Sequence, residues 1–559
     1  MTYIPDAKEH MLVLRETATM TEAVSGVDDE TLVSILDGVG SFAQSGWGDL
    51  NAIADTVGAR IEGSEVTMPP GLPDAYAKYV SAGWGTLPLA EGFGGQGLPF
   101  SLAMAVQEVL GASNFALTSC TTLTAGAIEA ILHHGSDAQK AVYLPRLGTG
   151  EWTGTMNLTE PQAGTDVGAL KTTATPLEDG TWSIRGMKIF ISFADHDLTD
   201  NIVHLVLART PGAPAGTKGI SLFLAPKFRA DDDGEFTVRN GMNVVSIEHK
   251  AGFHASPTCV VAFGESEPCI GELIGKENQG MRAMFTMMNS ARIGVGHQGV
   301  QLGEAATQKA VAYAQERIQG RRNGQPVPII EFPDVRRMLL RMKALTQGSR
   351  ALLFYAAGCL DRAAAGDKKA AQRLELMTPL AKAYGSEVGV EIASLGMQVH
   401  GGMGYIEETG AAQYWKDARI APIYEGTTGI QAADLVGRKL AMEDGAAFAA
   451  LISDMRASAK HPELKRLIDL CEDVADRYAT ASADDRLAGS YSFLMMVSVA
   501  VSGWLLERQL EAVTTDDFGK SKAVVVRFYL EHLVPEAAGL WASATAGSEL
   551  LYELAAEAF

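Results

Sequence analysis

The sequence predicts an α+β chain in four parts: an N-terminal helical domain, a middle antiparallel β barrel or sandwich domain, a helical bundle, and an additional C-terminal helical domain. Three observations predict it. Apolar residues recur at spacings of three and four up to about residue 154. They then fall into short β-branched and aromatic runs, set apart by turn signals every ten or so residues. From residue 281 onward the helical spacing returns in long segments. The limits read as 1–154, 155–278, 279–445 and 446–559. A chain of 559 residues needs several units, because single cores stop growing near ~250–300 residues.

In the first part, 31–42 and 50–61 carry helical spacing. Pro69-Pro70-Gly71 breaks it, and Asp74 is placed to cap the next helix. Glu91-Gly92-Phe93-Gly94-Gly95-Gln96-Gly97 is glycine-rich, but no strand precedes it and no Lys-Ser/Thr follows, so a Walker phosphate loop is excluded. Helices are expected at 102–110 and 123–133, with His133-His134 as a helix end rather than a metal pair. The second part offers strands at 182–192, 202–207, 220–224, 236–239 and 258–263. The third offers helices at 281–318, 333–365, 370–396 and 428–442. The fourth reads as further helices with a loop near 480–485, and carries 17 acidic against 10 basic residues.

Bulk composition narrows the function. The net charge of −21 argues against nonspecific nucleic-acid binding, which needs a basic face to displace counterions. An anionic small ligand held by a few arginines and helix N-termini stays open. The five cysteines are scattered, without a C-x-x-C pair, and read as free thiols of a reducing compartment; no metal site is expected. Residues 487–506 carry no charge, which is near bilayer length, but their Ser and Gly content reads as a buried helix rather than a membrane span. The first ten residues lack the basic flank and apolar core of a secretory leader.

Three stretches bear chemistry. In Ala421-Pro422-Ile423-Tyr424-Glu425-Gly426-Thr427-Thr428-Gly429, Pro422 fixes its own φ and Gly426 frees the backbone just after the acid. Thr427 or Thr428 then caps a helix whose apolar residues continue at Ile430, Ala433 and Leu435. Glu425 thus projects from a loop at a helix start, where a carboxylate can be tuned as a general base. Alone, such a glutamate reads as a solvated loop residue. The second stretch, Met156-Asn157-Leu158-Thr159-Glu160-Pro161-Gln162-Ala163-Gly164-Thr165-Asp166, offers hydroxyls, small residues and backbone donors where helices give way to strands. Alone it is a Pro/Gly turn. The third, Gln398-Val399-His400-Gly401-Gly402-Met403-Gly404-Tyr405, puts adjacent glycines after an apolar helix. Alone it is a helix C-cap.

Together these stretches resemble the acyl-CoA dehydrogenase family, over roughly residues 70–440, in the family's order and helical–β–helical layout. Residues 248–250, 254–258 and 284–299 resemble a branch with an extra C-terminal helical domain, here from about 446. Members of that branch act on broad-range fatty acyl-CoAs or on 3-(methylthio)propanoyl-CoA from dimethylsulfoniopropionate, and the reading leans to the latter. The resemblance implies that Glu425 removes the pro-R α-proton of an acyl-CoA while the β-hydrogen leaves as hydride to N5 of FAD. It implies flavin contacts from Met156, Leu158, Thr159, Gly164 and Thr165, from Phe190, Ile191 and Ser192, and from Thr427, Thr428 and Gly429. Arg317, Gln398, Gly401 and Gly402 would reach the FAD of a neighbouring subunit, which implies a homodimer at least. Thr165, Gly426 and Arg292 would meet the substrate. Three positions depart from the pattern. Phe190 stands where a Trp is usual. Arg317 is followed by Ile318-Gln319-Gly320 rather than closely by Phe-Gly, and Gly437 stands where some members have Arg. An electron-transfer flavoprotein is the implied electron acceptor and the cytoplasm the implied compartment. An oxygen-using acyl-CoA oxidase and a DNA-associated flavoprotein share the fold; the acidic C-terminal part disfavours the second.

Overall fold

In β6 (Asn201–Ala208) and β7 (Ser221–Pro226) every residue is buried, and these strands set the layering of the middle of the chain. The computed structural model describes residues 3–559, apart from the side chains at 23, 24 and 285–287. Residues 1 and 2, the start of the stretch tested for a leader, and three side chains within 284–299 therefore lie outside the described residues.

Phe42–Pro99 and Ser113–Ala291 form one compact unit. Its first strands form a hairpin, β1 (Arg60–Glu62) and β2 (Glu65–Thr67). The helix expected over 50–61 runs only Asn51–Thr56. Gly58 ends it at φ +66°, where a Cβ would lie 3.1 Å from His254. The remaining strands are β3 (Trp152–Asn157), β4 (Thr173–Pro176), β5 (Trp182–Ser192), β8 (Phe228–Ala230), β9 (Phe236–Arg239), β10 (Met242–Ile247), β11 (Thr258–Phe263) and β12 (Cys269–Ile274). An eight-stranded sheet has the order β10-β11-β5-β12-β7-β6-β3, with β4 on β5. Its pairs are antiparallel, as expected, except that β3 runs parallel to β6.

Side chains alternate across a strand, so a strand buried on both faces reads as a continuous apolar run. In β6, Val203, Leu205 and Leu207 pack with Ala127, Ile131, Leu144 and Leu147 of the helices Phe115–His134 and Asp137–Thr149. Val206 and Ala208 enter a second cluster with Trp182, Ile184, Phe223, Val261 and Phe263. Each such Val, Leu or Phe contributes about 1.5–3 kcal/mol by leaving water.

The described residues up to Ser41, with Phe100–Ala112 and Arg292–Phe559, form the second compact unit. Its bundle is built on the helix Gly280–Glu316 from Arg292 onward, with Pro333–Ala364 and Lys368–His400. The helix expected to end at 318 stops at Glu316, because Ile318 begins the hairpin β13 (Ile318–Arg322) and β14 (Gln325–Pro328). Glycines let the first and third helices touch: a Cβ on Gly299 would lie 1.9 Å from the Gly385 carbonyl oxygen, and one on Gly389 would lie 2.5 Å from Gly299 Cα. Gly299→Ala is expected to cost about 2 kcal/mol, the overpacking term exceeding the gain in helix propensity. A urea midpoint unchanged from the parent would contradict this packing.

The C-terminal region adds Ala446–Ser458, Pro462–Thr480, Ala483–Gln509 and Asp517–Phe528. The uncharged stretch 487–506 lies in the third of these. Ala483–Gln509 and Phe115–His134 are long and apolar enough to cross a bilayer, but 83% and 67% of their most apolar windows is buried within the protein. Tyr529 seals this region to the bundle. Its ring covers Gly348, where a Cβ would lie 2.4 Å from the ring, and its hydroxyl meets that of Tyr384 at 2.8 Å.

A buried charged cluster crosses the same unit. Arg350 reaches Glu108 (2.8 Å) and Glu304 (2.9 Å) and lies 4.0 Å from Glu9. Lys522 donates to Glu9 (2.6 Å), His297 reaches Glu108 (3.0 Å), and His10 lies 3.2 Å from Glu108. Burial pushes the Glu108 carboxyl up, but Arg350, His10 and His297 hold it well below the usual range.

Candidate active site

Two groups of candidate residues are each assembled within one unit. The first is in the β unit. Thr155 Oγ1 donates to the Ser192 carbonyl (2.7 Å), and the Ile189 N–H donates to the Thr159 carbonyl (2.9 Å). Lys188 donates to the Leu158 carbonyl (3.0 Å) and to Glu160 (2.9 Å). These bonds lay the stretch from Met156 beside the end of β5. Glu160 also accepts from the Lys171 N–H (2.6 Å), the Thr172 N–H (3.0 Å) and the Thr172 hydroxyl (2.6 Å). Burial raises the Glu160 carboxyl, but Lys188 and these donors hold it at about 2. Burial pushes Lys188 down to about 8 against the pull of Glu160.

Around that hub, Met156, Leu158, Thr159 and Ser192 are half-buried, Gly164 and Thr165 exposed, and Ile191 buried. Phe190 is 59% exposed at φ +59°. A phenylalanine there is both strained and unburied. The donor set suits a flavin: short hydroxyls and backbone groups for a polar edge, Met and Leu for an apolar face, and an exposed aromatic beside them.

The second group is in the bundle unit. After the helix Ala411–Ala418 the chain turns through 419–427 and re-enters a helix at Thr428–Asp434. Thr427 caps that helix, its Oγ1 accepting from the Ile430 N–H (3.2 Å). The Thr428 N–H donates to the Pro422 carbonyl (3.0 Å), and the Thr428 hydroxyl donates to Glu387 (2.7 Å). Glu425 sits on the tip of this turn at φ +55°, and Gly426 follows at φ +86°. That φ favours glycine, and a Cβ on Gly426 would also lie 2.7 Å from Gln431 Nε2. A glutamate in the left-handed region stores strain that the surrounding bonds must hold.

Glu425 is half-buried. Burial raises its carboxyl above the usual range, and the positive charges of Arg292 and Lys382 oppose the rise. Arg292 lies 4.0 Å from Asp434, and its Nε is buried without a hydrogen bond. Lys382 is fully buried and donates to the Ala421 carbonyl (2.8 Å). Tyr424 donates to Gln298. The arrangement is a carboxylate of raised basicity on a braced turn, with Arg292 and Lys382 as the cations whose charges oppose the rise. That is chemistry suited to taking a proton from carbon.

The remaining predicted residues also gather. Tyr313, one turn before Arg317, stacks on His400 with centroids 4.4 Å apart. This brings Arg317 to the Gln398–Gly402 corner, where all of Arg317, Gln398, Gly401 and Gly402 are exposed. Gly429 is exposed and Thr428 buried. Three residues carry the geometry without having been singled out in the sequence: Glu160, Lys188 and Lys382. The signal for Lys382 is a lone cation within the apolar run Leu376–Ala383.

Four family models match the chain. They are the acyl-CoA dehydrogenase N-terminal domain (54–151), middle domain (155–265) and C-terminal domain (278–441), and the acetyl-CoA dehydrogenase C-terminal-like domain (441–555). The chain is 45% identical to 3-methylmercaptopropionyl-CoA dehydrogenase of Ruegeria pomeroyi, over 90% of each. It is 36% identical to the broad-specificity linear acyl-CoA dehydrogenase FadE5 of Mycobacterium tuberculosis, over 83% of this chain and 84% of the relative. Among solved structures, Caenorhabditis elegans ACDH-11 in complex with C11-CoA superposes with a TM-score of 0.80 at 22% identity, covering 96% of this chain and 92% of that one.

Proposed function

The chain belongs to the acyl-CoA dehydrogenase family, and on that premise we propose that Glu425 is the base that removes the α-proton of an acyl-CoA thioester. The protein is an acyl-CoA dehydrogenase, and its cofactor is FAD. The observation that supports Glu425 is its carboxylate, raised by burial against the charges of Arg292 and Lys382 and carried on a strained turn. When bound, FAD supplies the hydride acceptor for the β-carbon. The protein's own work is positional and electrostatic. The Glu425 carboxylate accepts the α-proton, and its backbone N–H donates to the thioester carbonyl, where negative charge develops. Gly426 lets the backbone approach the thioester, and Arg292 faces the same anion. Thr165 meets the substrate from the loop around Glu160. Met156, Leu158, Thr159, Gly164, Thr165, Phe190, Ile191 and Ser192 hold the flavin, with Thr427, Thr428 and Gly429. Arg317, Gln398, Gly401 and Gly402 serve the flavin of a second subunit in a homodimer. The working domain limits are 1–154, 155–278, 279–445 and 446–559.

The substrate we propose is 3-(methylthio)propanoyl-CoA, in dimethylsulfoniopropionate breakdown, with an electron-transfer flavoprotein as acceptor in the cytoplasm. The 45%-identical relative supports the substrate; the 36%-identical one supports a broader acyl range as the second reading. The test is anaerobic flavin bleaching by butyryl-, octanoyl-, palmitoyl- and 3-(methylthio)propanoyl-CoA. The fastest bleaching is expected with the methylthio substrate. Faster bleaching by palmitoyl-CoA would replace it with the broad-range reading, and rapid reoxidation in air would make the enzyme an oxidase.

A further inference from the structure

We infer that Lys382 is a positioning residue for the base: its ammonium pins the carbonyl leading into the turn and supplies one of the two positive charges that face Glu425. The inference rests on the reading of Glu425 as the base. Lys382 lies on Lys368–His400 and is fully buried. Its Nζ donates to the Ala421 carbonyl at 2.8 Å, directly before Pro422. A neutral donor would satisfy that carbonyl, and burying an ammonium is costly unless an anion faces it. Burial pushes the Lys382 ammonium down to about 8, and the charges of Glu425 and Glu387 oppose the drop. Glu387 already accepts from the Thr428 hydroxyl at 2.7 Å. Glu425 therefore receives the charge most usefully.

The charged and titratable groups around the base come from five segments. Lys382 and Glu387 lie on Lys368–His400, and Arg292 on Gly280–Glu316. Tyr424 adjoins Glu425 in the turn, and Asp434 ends Thr428–Asp434 and pairs with Arg292. Arg438, bonded to Asp434, and Glu375, bonded to Lys439, extend the field around Arg292. Burial raises the Glu425 carboxyl, and Arg292 and Lys382 both pull it down. Removing Lys382 removes one of the two pulls, so the carboxyl rises further.

The sign of the test follows. The base works deprotonated, so the bleaching rate falls as pH drops through its pKa. In FAD-loaded Lys382→Met this acid limb moves to higher pH, by about one unit for the loss of a close opposite charge. Lys382→Gln, which keeps a donor for the Ala421 carbonyl but no charge, shows the same shift. It is read alone if Lys382→Met does not fold. Lys382→Arg returns the limb to the parent position. A purely structural lysine would lower the rate equally at every pH. An acid limb unmoved in folded, FAD-loaded Lys382→Met or Lys382→Gln overturns the inference. Glu425→Gln run in parallel separates the two readings. If it bleaches normally, the base assignment itself fails. If it does not bleach while the lysine variants keep the parent limb, only the role of Lys382 fails.

Discussion

Glu425→Gln is expected to yield a folded, yellow protein that binds acyl-CoA and does not bleach. Glutamine is isosteric with glutamate and keeps the backbone at φ +55°, so the turn, the Thr427 cap and the Thr428–Glu387 bond survive. The loss is confined to proton acceptance. A positioned general base is worth on the order of 10²–10⁴ in rate, and the upper end applies here because carbon acids ionise poorly without one. Binding moves little, since an uncharged amide beside Arg292 and Lys382 still fits the space. Glu425→Asp separates reach from charge. It keeps the charge but draws the oxygen back by one methylene, and a partial loss is expected. Flavin bleaching at the parent rate in Glu425→Gln would remove this residue from its role.

The largest stability effect is expected from Arg350→Met. Arg350 is 3% exposed and holds together Glu108, Glu304 and Glu9. Without it, the three carboxylates keep Lys522 on Glu9 and the rings of His10 and His297 on Glu108 as their described partners. Breaking a buried ion network by removing one partner costs about 3–5 kcal/mol. Arg350→Lys restores little, because one ammonium cannot span Glu108 and Glu304 as the planar guanidinium does. The pH dependence gives a second handle. In the parent, Glu108 lies well below its unfolded value, so its contribution is present above the ordinary glutamate range and lost as pH falls through the folded value. In the variant its carboxyl rises above the unfolded value, so stability improves as pH falls. The gap between parent and variant in denaturant midpoint therefore narrows on acidification. A gap that widens would show that the cluster is not electrostatic in the way described.

What the sequence made legible follows from local chemistry. The switch from period 3.6 to period 2 placed the helices and the strands, because both patterns are written by the core each element covers. Glu425 was legible through its neighbours: Pro422, Gly426 and Thr427 announce a turn into a helix, and the structure builds that turn. The misses are contacts made at a distance. Gly58 ends a helix because His254 lies against it, and neither residue says so alone. The parallel pairing of β3 with β6 depends on the path of the chain between them, not on either strand. Glu160 stood inside a stretch already singled out, but its task as a hub appears only when Lys188 and Thr172 arrive. Lys382 and Arg350 are buried cations in long helices, and much of their meaning lies in acids on other elements.

The ion pair between Glu9 and Lys522 spans 513 positions of sequence. During synthesis the ninth residue emerges long before its partner exists. Its carboxylate cannot take the Lys522 ammonium until the helix Asp517–Phe528 has left the ribosome. The helix Ala7–Leu12 therefore completes this contact only after the helix Asp517–Phe528 has been made. Nascent chains stalled before residue 522 would leave that first segment open to protease, while chains released beyond it would not.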